Sequence, residues 1–209
     1  MTTGTRRLQP HKREAITGAA RTVFGREGYT RASIDAIATE AGVSTRTIYN
    51  HFANKEELFA TVLETSAAQV ADGFVEALER QLAGITDRRE YLVRIGWAVT
   101  RQAVDFPEHF AMVRQIIPEA RHFPAAVRDA WREAGPLRVQ REVARHLSLL
   151  AEDGRLRGID ADRAATHFLA LTTAGLNLRD QFELPEFDDS EVARIVETGV
   201  DAFLHGYAG

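Results

Sequence analysis

A glycine that separates two short helical patterns is the feature that most limits how this chain can fold. Ser33 is a good N-cap residue, and the apolar residues after it recur every three or four positions, as on one face of a helix. Gly42 ends that pattern after about nine residues, since glycine readily closes a helix. Ser44, another good N-cap, follows after one residue, so the next helix must begin at once and at a steep angle. The sequence therefore predicts a helix-turn-helix.

The second helix of this pair is unusually polar, with only two large apolar side chains to pack on a core. In the stretch GVSTRTIYNHF, Ile48 and Phe52 lie on one side when each residue advances by about 100°. The opposite side presents side chains that can bind a DNA major groove, since Arg pairs with guanine, Asn pairs with adenine and a Thr methyl suits thymine. Hydroxyl and imidazole groups on the same helix are suited to phosphate oxygens. The predicted DNA-binding residues are Ser33, Ser44, Thr45, Arg46, Thr47, Tyr49, Asn50, His51 and Lys55.

Two further helices flank the predicted helix-turn-helix. Before the helix-turn-helix, an apolar stripe from Ile16 to Phe24 indicates a first helix that Gly28 can end in a left-handed cap. After it, Asn54 and Glu57 form a capping-box pattern, and apolar residues continue at helical spacing. The amides at the start of this fourth helix, together with Lys55, favour a nearby phosphate. We therefore predict a three-helix DNA-binding head over residues 1–53 and a helical domain over 54–209, of which 54–82 is the linking helix.

The charge distribution agrees with this division. Residues 1–55 carry nine basic and four acidic side chains, a net charge of +5, although the whole chain has a net charge of -4. The rest of the chain therefore carries 17 basic and 26 acidic side chains, a net charge of -9. A basic head on an acidic body is the pattern expected when only the head binds DNA.

A family resemblance follows from these residues. The stretch SIDAIATEAGVSTRTIYNHFANKEELFATVL, with the preceding FGREGYTRAS, closely resembles the DNA-binding signature of TetR-family transcriptional regulators over roughly residues 12–63. The resemblance implies an all-α homodimer that represses transcription from an operator on double-stranded DNA and leaves it when a small-molecule effector binds the C-terminal domain. Many members have a small residue where this sequence has Arg46, so both a base and a phosphate stay open as its contact.

The body offers a candidate effector pocket. Proline breaks between its predicted helices can leave space that aromatic and aliphatic side chains would line. The same side chains are also suited to a packed core. No His or acidic residues show metal-ligand spacing here, so we predict neither a metal nor another cofactor. The candidate effector-binding residues are Trp97, Phe110, Val113, Ile117, Trp131 and Phe168.

The last two predicted helices, roughly Asp162–Phe182 and Ser190–Tyr207, carry more apolar surface than a terminal hairpin needs for itself. A second copy of the chain would cover it in a two-fold four-helix interface, although the surface is also able to cover the body of its own subunit. The predicted interface residues are Leu169, Thr173, Leu176, Val192, Val196, Val200 and Phe203.

Other classes of protein find less support. The sequence has no glycine-rich phosphate loop, no HExxH and no Gly-x-Ser-x-Gly, so we predict no enzyme activity. It has no cysteine and no apolar run of the ~18 residues that a membrane span needs, which favours a cytoplasmic protein. A helical interaction module that does not bind DNA is the alternative; it would tolerate reversal of the head's charge.

Overall fold

The computed structural model describes residues 10–157, 160–173, 176 and 188–207, and this part of the chain contains helices and no strand. The predicted all-α class is confirmed. Residues 174, 175 and 177–182 of the predicted helix Asp162–Phe182 lie outside the described residues. The helices are α1 (Pro10–Arg31), α2 (Ile34–Glu40), α3 (Thr45–Tyr49), α4 (Lys55–Leu82), α5 (Arg88–Asp105), α6 (Pro107–Ile116), α7 (Ala125–Ala134), α8 (Pro136–Glu152), α9 (Ala161–Thr172) and α10 (Asp189–Tyr207), with a 3-10 helix (Ile117–His122) between α6 and α7.

Proline and glycine set the ends of the helices in the body. Pro107 opens α6 and Pro136 opens α8, because a proline at the first helical position has no amide that needs a partner. Pro118 falls where α6 gives way to the 3-10 helix. Gly154, with φ of 71°, follows the end of α8. The three prolines thus supply the breaks between helices that the sequence predicts.

Gly28 interrupts α1 in a way that differs from the prediction. Its φ is 76°, as expected for a left-handed cap, but its ψ is 170° rather than the helical value near 47°. A backbone in this region is essentially restricted to glycine. The chain therefore leaves the helix axis at Gly28 and forms a tight turn, Gly28–Ala32, before α2 begins.

The chain forms two compact units, and the first is built from two separate stretches of sequence. It comprises the residues up to Ala67 together with Glu108–Trp131, so α4 supplies residues to both units. The core of the first unit joins the three-helix head and the start of α4 to buried side chains of α6 and the segment after it. These later residues are Met112, Ile116 and Phe123.

The second unit comprises Ala68–Pro107 and the residues from Arg132 onwards. Its core packs α5, α8, α9 and α10 around Phe168 and Phe203, whose rings meet edge to face at 5.3 Å. At Gly199 a Cβ atom would come within 2.5 Å of the Leu171 carbonyl oxygen, so a side chain there would force α9 and α10 apart. Small residues thus permit the close packing of the last two helices.

Three of the residues predicted to face a second copy lie inside this core. Val196, Val200 and Phe203 are all buried within their own unit. They have no surface left for a partner in this conformation, because the apolar face they form packs on α5 and α9. A contact between two copies through these helices would therefore need other positions than these three.

Candidate nucleic-acid interface

The turn between α2 and α3 is fixed by side-chain caps on both helices. The Ser33 Oγ accepts a hydrogen bond from the Ala36 amide at 3.1 Å, and the Ser44 Oγ accepts one from the Thr47 amide at 3.2 Å. Gly42 lies between them with φ of 63°. A capped helix, a left-handed glycine and a second cap leave little freedom in the angle between the helices. The predicted helix-turn-helix is confirmed.

One edge of α3 is anchored and the other is presented. Ile48 and Phe52 are completely buried in the first unit's core. On the opposite edge Arg46 and Asn50 are exposed, and Tyr49 keeps 55% of its surface accessible. Two buried apolar side chains therefore anchor the short helix, and its polar side chains face outwards, where they are able to contact base edges in a DNA groove.

The other predicted hydroxyl groups lie on α3 or at the helix starts of the helix-turn-helix. Thr45 and Thr47 are half-buried, and the Thr47 and Ser44 hydroxyls share a hydrogen bond of 2.9 Å. The oxygens of both capping serines accept bonds from backbone amides, but a hydroxyl that accepts is still able to donate. The Ser33 hydroxyl thus retains a donor for a phosphate oxygen.

Arg13, which the sequence pattern did not single out, holds the end of α3. Its Nη1 donates to the His51 carbonyl at 3.1 Å, and its guanidinium lies 4.3 Å from the centre of the Phe52 ring. The arginine thus combines a hydrogen bond with a cation–π contact at the last turn of the recognition helix. Nothing in the sequence signals this contact, because the two residues lie 38 positions apart.

Lys55 is hydrogen-bonded within its own unit. Its ammonium donates to the carbonyl oxygens of Tyr29, at 2.9 Å, and of Ala32, at 3.0 Å. It also lies 4.5 Å from the centre of the Tyr29 ring. An ammonium has three donors, so these two bonds leave one for a phosphate oxygen. The contact with DNA stays a prediction, and Lys55 has in addition a structural part that the sequence did not reveal.

The start of α4 is capped from both directions. The Asn54 Oδ1 accepts a bond from the Glu57 amide at 2.8 Å, and the Glu57 carboxylate accepts one from the Ala53 amide at 2.6 Å. This reciprocal arrangement confirms the predicted helix start, with the carboxylate reaching one residue further back than in the usual capping box.

The candidate effector-binding residues are divided between the two units. Phe168 is buried in the second core, and Trp97 packs against that core. Val113 and Trp131 belong to the first unit, as do Phe110 and Ile117, and Ile117 is 53% exposed. The indole Nε1 of Trp131 is buried and has no hydrogen-bond partner among the described residues. This unsatisfied donor is the most specific polar feature of the set, since a buried N–H normally has a partner.

Among the described residues, no group of three or more His, Cys, Asp or Glu side chains could hold a metal ion. No described helix combines the length and the apolar character needed to cross a membrane.

Comparison with known proteins gives matches along most of the chain. Residues 16–62 match the N-terminal family of bacterial regulatory proteins of the tetR family, and residues 90–209 match the family described as AefR-like transcriptional repressor, C-terminal domain. The transcriptional activator FasR of Mycolicibacterium smegmatis is 34% identical over 116 residues, which are 56% of this chain and 49% of FasR. The chain thus spans about half the length of that relative.

Solved structures agree over nearly the whole length. A TetR-family transcriptional regulator from Mesorhizobium loti is 28% identical with a TM-score of 0.85, and the match covers 95% of this chain and 97% of that one. The flavonoid-responsive regulator FrrA is also 28% identical, with a TM-score of 0.72 and coverage of 96% and 98%. The two family matches, one of which covers more than half of the chain, agree with the capped helix-turn-helix and with the exposed polar edge of α3. This chain belongs to the TetR family of transcriptional regulators, which bind DNA and are not enzymes.

Proposed function

We propose that this protein is a homodimeric repressor that binds an inverted-repeat operator and is released from it by a small apolar or aromatic effector. The observation that carries the proposal is the edge of α3, where Arg46, Tyr49 and Asn50 are exposed above the buried Ile48 and Phe52. A solvated surface helix needs no such anchoring. An anchored helix with a polar outer edge is suited to enter a major groove.

Each of these side chains has a distinct task in the proposal. Arg46 donates to guanine or to a phosphate, and Asn50 pairs with adenine. Tyr49 and His51 bind phosphate oxygens and fix the register, as do the hydroxyls of Ser33, Ser44, Thr45 and Thr47. Lys55 adds a phosphate contact through its third ammonium donor.

The dimer is proposed from α9 and α10. On α10 the buried face includes Val196 and Val200, whereas Ile195 is half-buried and Ala202 is exposed in the single chain. Ile195 and Ala202 lie seven residues apart and therefore share one flank of the helix, roughly 100° round from the buried face. Leu169, Thr173, Leu176 and Val192 are also half-buried and join the proposed contact. Two copies related by a two-fold axis would present two recognition helices to two half-sites about one helical turn apart or a multiple of it.

Repression is proposed because the C-terminal match carries the description of a transcriptional repressor. FasR is named as an activator and NicS of Pseudomonas putida as a repressor, so both activators and repressors occur among the relatives. A dimer that occupies a promoter operator blocks polymerase without any further contact, and this makes repression the simpler outcome. The chromosome of a bacterium lies in the cytoplasm, which is where we place the protein.

The effector is proposed to be mostly apolar, with at least one acceptor oxygen. The candidates in the first unit, Phe110, Val113, Ile117 and Trp131, are aromatic or aliphatic, and the Trp131 indole supplies an unpaired donor. FrrA is described as flavonoid-responsive, and flavonoids combine aromatic rings with such oxygens. A panel of flavonoids and other aromatic acids and ketones is therefore the first effector screen.

The test of the proposed function begins with DNA selected by the purified protein from a random pool. We expect an inverted repeat, and we expect transcription from a promoter that contains it to fall when the protein is added and to recover with an effector. An asymmetric selected site would overturn the dimeric operator, and a rise in transcription would overturn repression. Failure to enrich any sequence, with no salt-dependent affinity for DNA, would favour the helical interaction module.

A further inference from the structure

The Gly28–Ala32 turn, which contains the last residues of α1 and leads to α2, is held from two sides within the first unit. On one side the Lys55 ammonium binds the carbonyl oxygens of Tyr29 and Ala32. On the other, the carboxylate of Glu119, in the 3-10 helix, accepts two hydrogen bonds from Thr30. One comes from the Thr30 amide at 3.1 Å and the other from its hydroxyl at 2.9 Å. A cation thus holds the carbonyls of the turn, and an anion holds its amide.

The position of the carboxylate depends on the glycine that begins the turn. A Cβ atom at Gly28 would lie 3.3 Å from the Glu119 Oε1, which is tighter than an ordinary contact. The positive φ of Gly28 also sets the direction of the turn in which the Thr30 amide, two residues later, meets the carboxylate. Gly28 therefore leaves room for the Glu119 carboxylate and also allows the backbone to leave the helix.

Aromatic packing surrounds this contact. The Tyr29 ring meets Phe123 edge to face at 5.2 Å and lies 4.7 Å from the Phe59 ring. Phe123 follows directly after the 3-10 helix that carries Glu119. The hydrogen bonds of Glu119 are themselves exposed, but the segment that carries the carboxylate is fixed by this buried aromatic cluster.

The turn leads directly into the DNA-reading elements. Ala32, whose carbonyl binds Lys55, is buried, and the next residue is Ser33, the N-cap of α2. The direction in which α2 leaves the turn sets the place of α3, because the α2–α3 turn is itself fixed by its caps. A shift of the turn is therefore passed on to the recognition helix.

We propose that Glu119 is a positioning residue for operator recognition, which acts through Thr30 and the Gly28–Ala32 turn without touching DNA. This inference rests on the proposed operator binding. It assigns an indirect part in DNA recognition to the segment between α6 and α7, which lies in the part of the sequence matched by the C-terminal family.

The sign of the effect separates this proposal from simple electrostatics. Removal of a negative charge from a DNA-binding unit should strengthen DNA binding if charge alone matters, because DNA is an anion. Positioning predicts the opposite. We expect Glu119→Ala to weaken operator binding roughly tenfold, on the scale of a charge-assisted hydrogen bond, and to leave the affinity for random DNA unchanged. Glu119→Gln, which keeps an acceptor, should recover part of the loss.

The experiment uses the full-length protein, with the selected operator and a random duplex measured side by side. Glu56→Ala is the matched charge control, because Glu56 is exposed at the start of α4 in the same unit. Asp201→Ala is the stability control, since it breaks the Arg89–Asp201 pair of the second unit. Thr30→Val completes a double-mutant cycle, in which its loss and that of Glu119→Ala should not add. Melting curves establish that every variant is folded at the assay temperature.

Several outcomes would overturn the inference. These are an operator affinity of Glu119→Ala that equals or exceeds that of the parent, an equal loss on operator and random DNA, a loss matched by Asp201→Ala, or full additivity with Thr30→Val. If the parent protein itself binds no operator, the proposed function fails first. If the parent binds and Glu119→Ala binds equally well, only the role of Glu119 fails.

Discussion

The Nδ1 of His109, on α6, lies 2.8 Å from the Oγ of Ser66, on α4, and both side chains are buried. Burial, together with the positive charge of Arg21, lowers the pKa of His109 from 6.5 to about 4. The imidazole is therefore neutral near pH 7, and a proton added to it would place a charge in the interior of the first unit.

This pair predicts how stability changes with pH. In the unfolded chain His109 takes up a proton near pH 6.5, whereas in the folded protein it does so only near pH 4. The unfolded state therefore binds more protons between these values, and the folded state loses stability as the pH falls from about 6.5 to about 4. The full effect is roughly 3 kcal/mol of unfolding free energy.

Urea unfolding at pH 7 and pH 4.5 measures this loss. His109→Gln should reduce the difference between the two pH values, since glutamine does not titrate. His11→Gln is the control, because the His11 side chain is almost fully exposed. Equal pH dependence in the parent and in His109→Gln would show that His109 is not the responsible group.

Arg46 is predicted to set sequence preference at one position of each half-site. If it reads guanine, Arg46→Ala should lose about 1 to 3 kcal/mol on the operator and relax the preference for that base. Competition among operators changed one base pair at a time measures this. An equal loss on every sequence would assign Arg46 to a phosphate instead.

Lys55→Met supplies the contrast with Arg46. It should weaken binding to all sequences and reduce the steepness of the salt dependence by about one, as expected for one lost phosphate contact. It should also lower the melting temperature, because the Tyr29 and Ala32 carbonyls lose their donor. A lower melting temperature with an unchanged salt dependence would show that Lys55 stabilises the first unit but does not contact a phosphate.

Ala202→Glu is predicted to separate the proposed dimer. A carboxylate on the open flank of α10 would be buried against its copy across the two-fold axis, which is unfavourable for both charges. Sedimentation at micromolar concentration should show a monomer, and tight operator binding should be lost with it. Ala103→Glu, an equally exposed change on α5, should remain dimeric. A dimeric Ala202→Glu would move the interface elsewhere.

Trp131→Phe is predicted to weaken effector binding more than it weakens operator binding. The change keeps an aromatic ring but removes the unpaired indole donor, so a ligand that binds Trp131 should lose about 1 kcal/mol of binding free energy.

Operator DNA should weaken effector binding by the same factor with which the effector weakens operator binding, roughly 5- to 150-fold. Calorimetric titration with and without operator checks both. Unchanged effector affinity in the presence of operator would exclude induction by release.

The head could be predicted in detail because its signals are local. Ser33, Gly42 and Ser44 each determine a backbone conformation within a few residues, and Ile48 and Phe52 reveal the buried edge by their spacing. The contacts that complete the head could not be predicted, since Thr30 and Glu119 lie 89 positions apart with no pattern that links them.

The last helix shows a different limit. Its periodicity correctly identifies Val196, Val200 and Phe203 as one apolar face. Periodicity cannot tell whether such a face packs on its own subunit or on another, because both bury the same apolar surface. The structure places the face in the core of its own unit.

The divided origin of the first unit has a consequence for its synthesis on the ribosome. The α1–α3 segment leaves the ribosome well before Met112, Ile116 and Phe123, which complete its core. During that interval the nascent head exposes the apolar surface that these residues later cover, and such surface invites aggregation or chaperone binding. A chimeric regulator made by a single cut after α4 would inherit the same exposed surface permanently, so a transplanted head should carry residues 108–131 with it.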